Sequence, residues 1–204
     1  MDTKNHWDEI FKSKPASQMS WFQPYPKTSI EFIELFNLSL TANIIDVGGG
    51  ESRLVDVLLE KGYQNIWVLD ISAIAIKRAQ ERLGQRSQRV HWIVSDVTEF
   101  KPAGLRFDLW HDRAAFHFLT NEANIYQYVS VAEAAINKGG YLILGTFSEQ
   151  GPQRCSGLNI RQYSEASMSG RFEICFERIK CIHEDHVTPF NTIQNFLFCS
   201  FKRK

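Results

Sequence analysis

A glycine-rich turn and three acids are the residues of this sequence best placed to do chemistry. Asp46-Val47-Gly48-Gly49-Gly50-Glu51-Ser52 follows an apolar run and precedes a helical pattern. Glycines suit such a turn because the chain must bend sharply and let a ligand approach with no Cβ in the way. A helix N-terminus behind the turn favours a carboxylate or phosphate. Asp70 and Asp96 each close a further apolar run. An acid closing a second strand accepts both hydroxyls of a ribose, and one closing a third is placed to bond an adenine amino group. A dinucleotide site would need a further glycine where this chain has Arg53, whose bulk obstructs close packing around a pyrophosphate. The ligand expected is a nucleoside with an amino-acid tail.

These residues need a scaffold that brings strand ends to one rim. Strand-like runs at 43–47, 65–69, 90–94, 107–110 and 141–146 alternate with helical patterns at 52–61, 72–83 and 121–137. Such alternation predicts a parallel sheet wrapped by helices, with ligands bound at the carboxyl edge of its strands. A short helix is expected near Ser164. The runs at 172–183 and 192–201 are expected to form an antiparallel hairpin that closes the sheet. Ahead of the first strand lie an amphipathic helix at 28–36 and an aromatic, Pro-punctuated lead-in at 5–26 that can fold over the site as a lid.

Composition bounds the partners. The 204 residues carry 23 Lys+Arg against 23 Asp+Glu, which argues against a constitutive nucleic-acid or anionic-membrane binder. No apolar run approaches the length of a membrane span, and the first residues lack the basic stub and apolar block of a secretory signal, so a cytoplasmic location is expected. The four cysteines, Cys155, Cys175, Cys181 and Cys199, show no C-x-x-C pair and are expected to be reduced core or loop thiols. No linker or repeat divides the chain. A single domain over residues 1–204 is expected, with a lid and helix over 1–40, a ligand-binding core over 41–150, and a substrate-side loop and hairpin over 151–204.

The chain resembles the class I S-adenosylmethionine-dependent methyltransferases in its glycine-rich motif at 46–52, in Asp70, in Ser95-Asp96-Val97, and in the segment 107–118. The resemblance implies an α/β, Rossmann-like fold: a seven-stranded sheet in the order 3-2-1-4-5-7-6, helices on both faces and a C-terminal antiparallel hairpin. It implies S-adenosyl-L-methionine as cofactor, with S-adenosyl-L-homocysteine as product and no metal. The implied cofactor residues are Asp46, Gly48, Gly49, Gly50, Ser52, Asp70, Ile71, Asp96, Val97 and His111. Gly50-Glu51-Ser52-Arg53-Leu54 is similar to the motif of a branch that includes protein-lysine methyltransferases. Trp7-Asp8-Glu9, Ser20-Trp21-Phe22 and Asp112-Arg113 instead resemble thiopurine, thiol and tellurite-type enzymes.

Methyl transfer needs alignment of the acceptor and exclusion of water, with no nucleophilic protein residue. His111 and Asp112, just after the fourth strand, are the candidates for a direct chemical role; packing is the alternative for both. Trp7, Trp21, Phe22, Arg113, His117, Cys155 and His186 are the candidate lid and substrate residues, with Tyr25 beside them. His183, Asp185 and His186 alternate across a strand and are not expected to converge on a metal. The reading favours methyl transfer to a small molecule, a thiol or other soft nucleophile. A protein lysine is the alternative acceptor, and a non-catalytic cofactor-binding regulator the alternative class.

Overall fold

The computed structural model describes residues 3–204; Met1 and Asp2, part of the stretch read for a secretory signal, lie outside them. Its centre is a seven-stranded sheet. In chain order the strands are β1 (Asn43–Val47), β2 (Asn65–Asp70), β3 (Val90–Val94), β4 (Phe107–Arg113), β5 (Ile136–Phe147), β6 (Phe176–Val187) and β7 (Ile193–Arg203). They lie in the order 3-2-1-4-5-7-6, as the resemblance implied. Strands β1 to β5 are parallel, β7 runs antiparallel beside β5, and β6 forms the outer edge of the hairpin. Outside this sheet, Arg154–Cys155 and Leu158–Asn159 make a two-residue ribbon.

Both faces are covered. Helices α2 (Lys27–Glu34), α3 (Leu54–Glu60) and α4 (Ala73–Leu83) pack on one face, around Ile30, Phe32, Leu54, Leu58, Ile76, Ile143 and Phe198. Helices α5 (Glu122–Ala135) and α6 (Glu165–Phe172) cover the other, around Trp110, Phe116, Tyr128, Met168, Phe172 and Leu197. Coverage on both sides explains why Ile44, Ile45, Ile66, Val68 and Leu69 form continuous apolar runs. The Ser72 side chain caps α4, Asn121 caps α5, and Ser164 with Ser167 forms a capping box on α6.

The structure departs from expectation in five places. Strand β4 runs on through Arg113 instead of ending at Trp110, so His111 and Asp112 lie within it and not after it. The lead-in opens with a helix, α1 (Thr3–Ser13). Helix α5 stops at Ala135, and β5 starts at Ile136 with a register shift against β4 that spans Gly139 and Gly140. Residues 172–175 belong to the end of α6 and the following turn, so the hairpin begins at Phe176. Cys181 and Cys199 face each other across β6 and β7 and are joined as a disulfide, leaving Cys155 and Cys175 free. Among the described residues, no helix is long and apolar enough to cross a membrane.

A buried polar chain ties β4 to α5. Trp110 Nε1 donates to the Tyr128 hydroxyl at 3.0 Å, and that hydroxyl donates to Asp112 Oδ2 at 2.7 Å. Replacing Tyr128 with Phe leaves both partners buried and unpaired. The Tyr128→Phe variant is expected to lose about 1–3 kcal/mol of unfolding free energy. Urea denaturation measures this, and an unchanged midpoint would contradict the role assigned to the chain.

Candidate functional site

The ends of β1 and β2 meet at the glycine turn. Gly48 N and Gly49 N both donate to Leu69 O, at 2.8 and 3.2 Å, which locks the turn against β2. Gly48 and Gly50 have positive φ, at 65° and 33°. A Cβ on Gly49 would lie 2.7 Å from Asp46 Oδ2, and one on Gly50 would lie 2.8 Å from Asp70 Oδ2. The turn is therefore glycine because two carboxylates press on it. Arg82 of α4 fixes it from behind, donating to Glu51 O at 3.1 Å and Ser52 O at 2.8 Å while pairing with Asp56 at 2.7 Å.

Asp70 is buried, and its Oδ1 accepts from Ser72 N at 2.8 Å. Burial pushes its pKa up to about 7; bonds from Ser72 and Gly50 act against this, and the charges of Asp46 and Asp8 add to it. Asp96 Oδ1 accepts from Thr98 N and Oγ1, at 2.8 and 2.7 Å. Asp70, Ile71, Asp96 and Val97 line a cleft of about 130 Å³ together with Trp7, Trp21, Phe118, Arg113 and Cys155. Gly48 borders both this cleft and a neighbouring cavity of about 60 Å³, which Asp46, Gly49, Ser52 and Phe22 also line.

The lead-in forms the roof. Trp7 packs edge-on against Trp21 and Phe118, with ring centroids 5.9 and 4.9 Å apart. The core holds the roof by hydrogen bonds: Ser72 Oγ donates to Asp8 at 2.6 Å, Arg78 to Lys14 O at 2.8 Å, Arg113 to Trp21 O at 2.8 Å, and His186 Nε2 to Ser20 O at 2.7 Å. Tyr25 is exposed and stands outside both cavities.

The two candidates for a direct chemical role do not reach the large cleft. Successive strand residues point to opposite faces, so Asp112 faces α5 and His111 faces α2. Asp112 is fully buried and accepts from Ala115 N, Phe116 N and Tyr128, while burial raises its pKa to about 6. That is the arrangement of a scaffold. His111 is buried with Nδ1 2.7 Å from Asp46 Oδ1 and Nε2 2.9 Å from Ser29 Oγ. Both of its nitrogens are occupied, which corrects the expectation that it faces an acceptor.

His117 is buried too, with Nδ1 accepting from Phe147 N at 3.2 Å; burial and nearby Arg113 pull its pKa down to about 3. It does not line the cleft, and His186 serves the roof. The Cys155 thiol lines the cleft, and burial raises its pKa. Burial lowers Arg113 to about 10, so it stays cationic at neutral pH, its guanidinium 4.8 Å from the centre of the Phe196 ring. His183 and Asp185 both bond Asn195. Among the described residues, no group of three His, Cys, Asp or Glu side chains is arranged to hold a metal.

Sequence reasoning missed Ser29, Phe11 and Arg82. Ser29 and Arg82 sit on helices far from any motif, and only tertiary packing brings them to the turn. Phe11 follows Trp7 by one helical turn, a spacing visible once α1 is recognised as a helix.

The folded pKa of Asp70, pushed up to about 7, exceeds the usual 3.8. The folded state then binds more protons than the unfolded chain between those values, so stability falls as pH rises across that window and the loss is complete above it. Asp112 adds the same slope up to about 6, and His117 opposes it between about 3 and 6.5. Asp70→Asn removes the largest contribution. At about 1.4 kcal/mol per pKa unit, this variant is expected to gain roughly 2–4 kcal/mol over the parent at pH 8, a gain that shrinks steadily from pH 7 to pH 4. Thermal unfolding across that range reads it; a constant difference would remove Asp70 as the cause.

Residues 44–140 match the family model described as a methyltransferase domain. Among curated proteins, the chain is 25% identical over 124 residues to the eEF1A lysine and N-terminal methyltransferase of Mus musculus, a stretch covering 59% of this chain and 17% of that protein. The Bos taurus counterpart is 26% identical over 121 residues, 58% of this chain and 17% of that protein. The matched stretch is thus a small part of those relatives. Among solved structures, N-methyltransferase NodS from Bradyrhizobium japonicum WM9, in complex with S-adenosyl-L-homocysteine, aligns with a TM-score of 0.75 and 16% identity over 99% of both chains. The 1,6-didemethyltoxoflavin-N1-methyltransferase of Burkholderia thailandensis aligns with a TM-score of 0.70 and 17% identity, over 99% of this chain and 84% of that one. Residues 44–140 thus resemble a methyltransferase domain, and the chain shares the fold of these solved methyltransferase structures.

Proposed function

We propose that this chain transfers a methyl group from S-adenosylmethionine to a small soft nucleophile such as a thiolate. The residues fit the cofactor. Asp70 at the end of β2 is poised to accept the ribose hydroxyls, and Asp96 faces the same cleft with one carboxylate oxygen left for an adenine amino group. Asp46 Oδ2 is buried without a partner, a vacancy suited to the ammonium of a methionine tail. When bound, the cofactor supplies an electrophilic sulfonium methyl that is displaced in line. The chain's part is to orient the acceptor and exclude water, which the aromatic roof of Trp7, Trp21 and Phe118 serves.

The observation that carries the acceptor class is the chemistry beyond the cofactor end of the cleft. Among the described residues that line the cleft there, the charged or thiol side chains are Arg113 and Cys155, with no His, Asp or Glu beside them to act as a base. An alkylammonium must lose a proton before it can attack and would meet the Arg113 cation. A thiol ionises nearer neutrality, and a neighbouring cation favours the thiolate. The second reading is a protein-lysine methyltransferase, favoured by the named activity of the curated relatives and by Gly50-Glu51-Ser52-Arg53-Leu54. Incubation with radiolabelled cofactor, a thiol panel and a cell extract separates the two. Label in small thiols supports the first reading, label in an extract protein the second, and binding with no transfer points to a regulator.

Asp70 must be ionised to accept two hydroxyls, so cofactor binding is expected to tighten as pH rises. Affinity for S-adenosylhomocysteine should improve by roughly tenfold per unit from pH 5.5 to 7 and level off above about pH 8. Calorimetric titration measures this, and a flat profile would count against the ribose role of Asp70.

A further inference from the structure

Asp46 sits where three elements meet. It ends β1, His111 reaches it from β4, and Ser29 reaches His111 from α2. Ser29, His111 and Asp46 are 1%, 2% and 2% exposed, so water does not compete for their bonds. One neutral tautomer satisfies the whole chain. His111 Nδ1–H donates to Asp46 Oδ1 at 2.7 Å, and His111 Nε2 accepts from the Ser29 hydroxyl at 2.9 Å. With Oδ1 committed, the carboxylate plane is fixed, and Oδ2 is turned toward the glycine turn.

That second oxygen has no partner. It lies 2.7 Å from the point a Cβ on Gly49 would occupy, beside the cavity that Ser29, His111 and Asp46 line together. A buried anionic oxygen with no donor is costly. A polar group held this rigidly and left unpaired is shaped for a donor that arrives with a ligand. We infer that Ser29 and His111 are positioning residues that hold the Asp46 carboxylate for the α-ammonium of the cofactor's amino-acid tail. The inference rests on the cofactor reading above and assigns His111 to tail recognition rather than to acceptor chemistry.

The test uses two ligands that differ in the tail. S-adenosylhomocysteine carries the amino-acid group; 5′-methylthioadenosine keeps the nucleoside and lacks it. Calorimetric titration of the full chain compares the parent with His111→Leu, His111→Asn and Ser29→Ala. His111→Leu is expected to weaken S-adenosylhomocysteine about tenfold, while methylthioadenosine changes by less than about twofold, the loss of one hydrogen bond to a charged group. His111→Asn, whose amide can still donate to Asp46, should recover most of the loss. Ser29→Ala should weaken the tailed ligand by about threefold and spare the other. Equal losses for both ligands would mean general damage and overturn the inference, as would unchanged S-adenosylhomocysteine affinity in a folded His111→Leu. If that variant does not fold, Ser29→Ala decides by the same ratio. A parent chain that binds methylthioadenosine and S-adenosylhomocysteine equally well overturns the tail role alone; one that binds neither overturns the cofactor reading first, and the tail role with it.

Discussion

Two carboxylates are kept out of water on either side of a turn that has no side chains. Asp46 and Asp70 both press on the backbone of Gly48 to Gly50, so closely that a single methyl group on Gly49 or Gly50 would touch an oxygen. Taking a carboxylate out of water opposes its ionisation, and Asp70 shows this as a pKa pushed up to about 7, with the charge of Asp46 adding to the effect of burial. The fold tolerates this because the surrounding sheet is apolar on both faces and supplies the stability from elsewhere. What the arrangement gains is a rim with unspent hydrogen-bond capacity, which suits the hydroxyls and ammonium of the proposed cofactor.

Everything around the rim restrains it. Leu69 O holds the turn from β2, Arg82 holds its carbonyls from α4, and Ser72 links Asp70 to the roof by donating its backbone N–H to one acid and its hydroxyl to Asp8. The roof is thus tied to the same serine that bonds Asp70. Arg113 has a comparable double attachment, bonding Trp21 O and lying against Phe196. The aromatic lead-in is therefore anchored to the core at both Ser72 and Arg113.

Much of this was legible in the sequence, for physical reasons that can be named. Strands buried on both faces read as unbroken apolar runs, so β1 falls where the residue pattern places it and β2 differs only by including Asp70; the half-exposed edge strand β3 also falls where its run predicts. The register shift in β5 was not legible, since Gly139 and Gly140 read equally well as a helix stop. The Cys181–Cys199 pair depends on hairpin register, which spacing alone does not reveal. The setting of His111 was not legible, because the apolar run ends at Trp110 and only the extension of β4 to Arg113 puts His111 on the face opposite Trp110 and Asp112. Ser29 was beyond reach, because nothing in a helix of mixed polarity marks one serine as the partner of a distant histidine.

Burial holds the carboxyl of Asp70, at the end of β2, at a raised pKa that bonds from a nucleoside's hydroxyls would lower. Carbon-13 NMR titration of the aspartate carboxyls, with and without saturating S-adenosylhomocysteine, tests it directly. The account expects Asp70 to titrate near 7 in the ligand-free protein and to fall by about two units or more when ribose hydroxyls bond its oxygens. An Asp70 resonance that titrates at the same pH in both samples would contradict it.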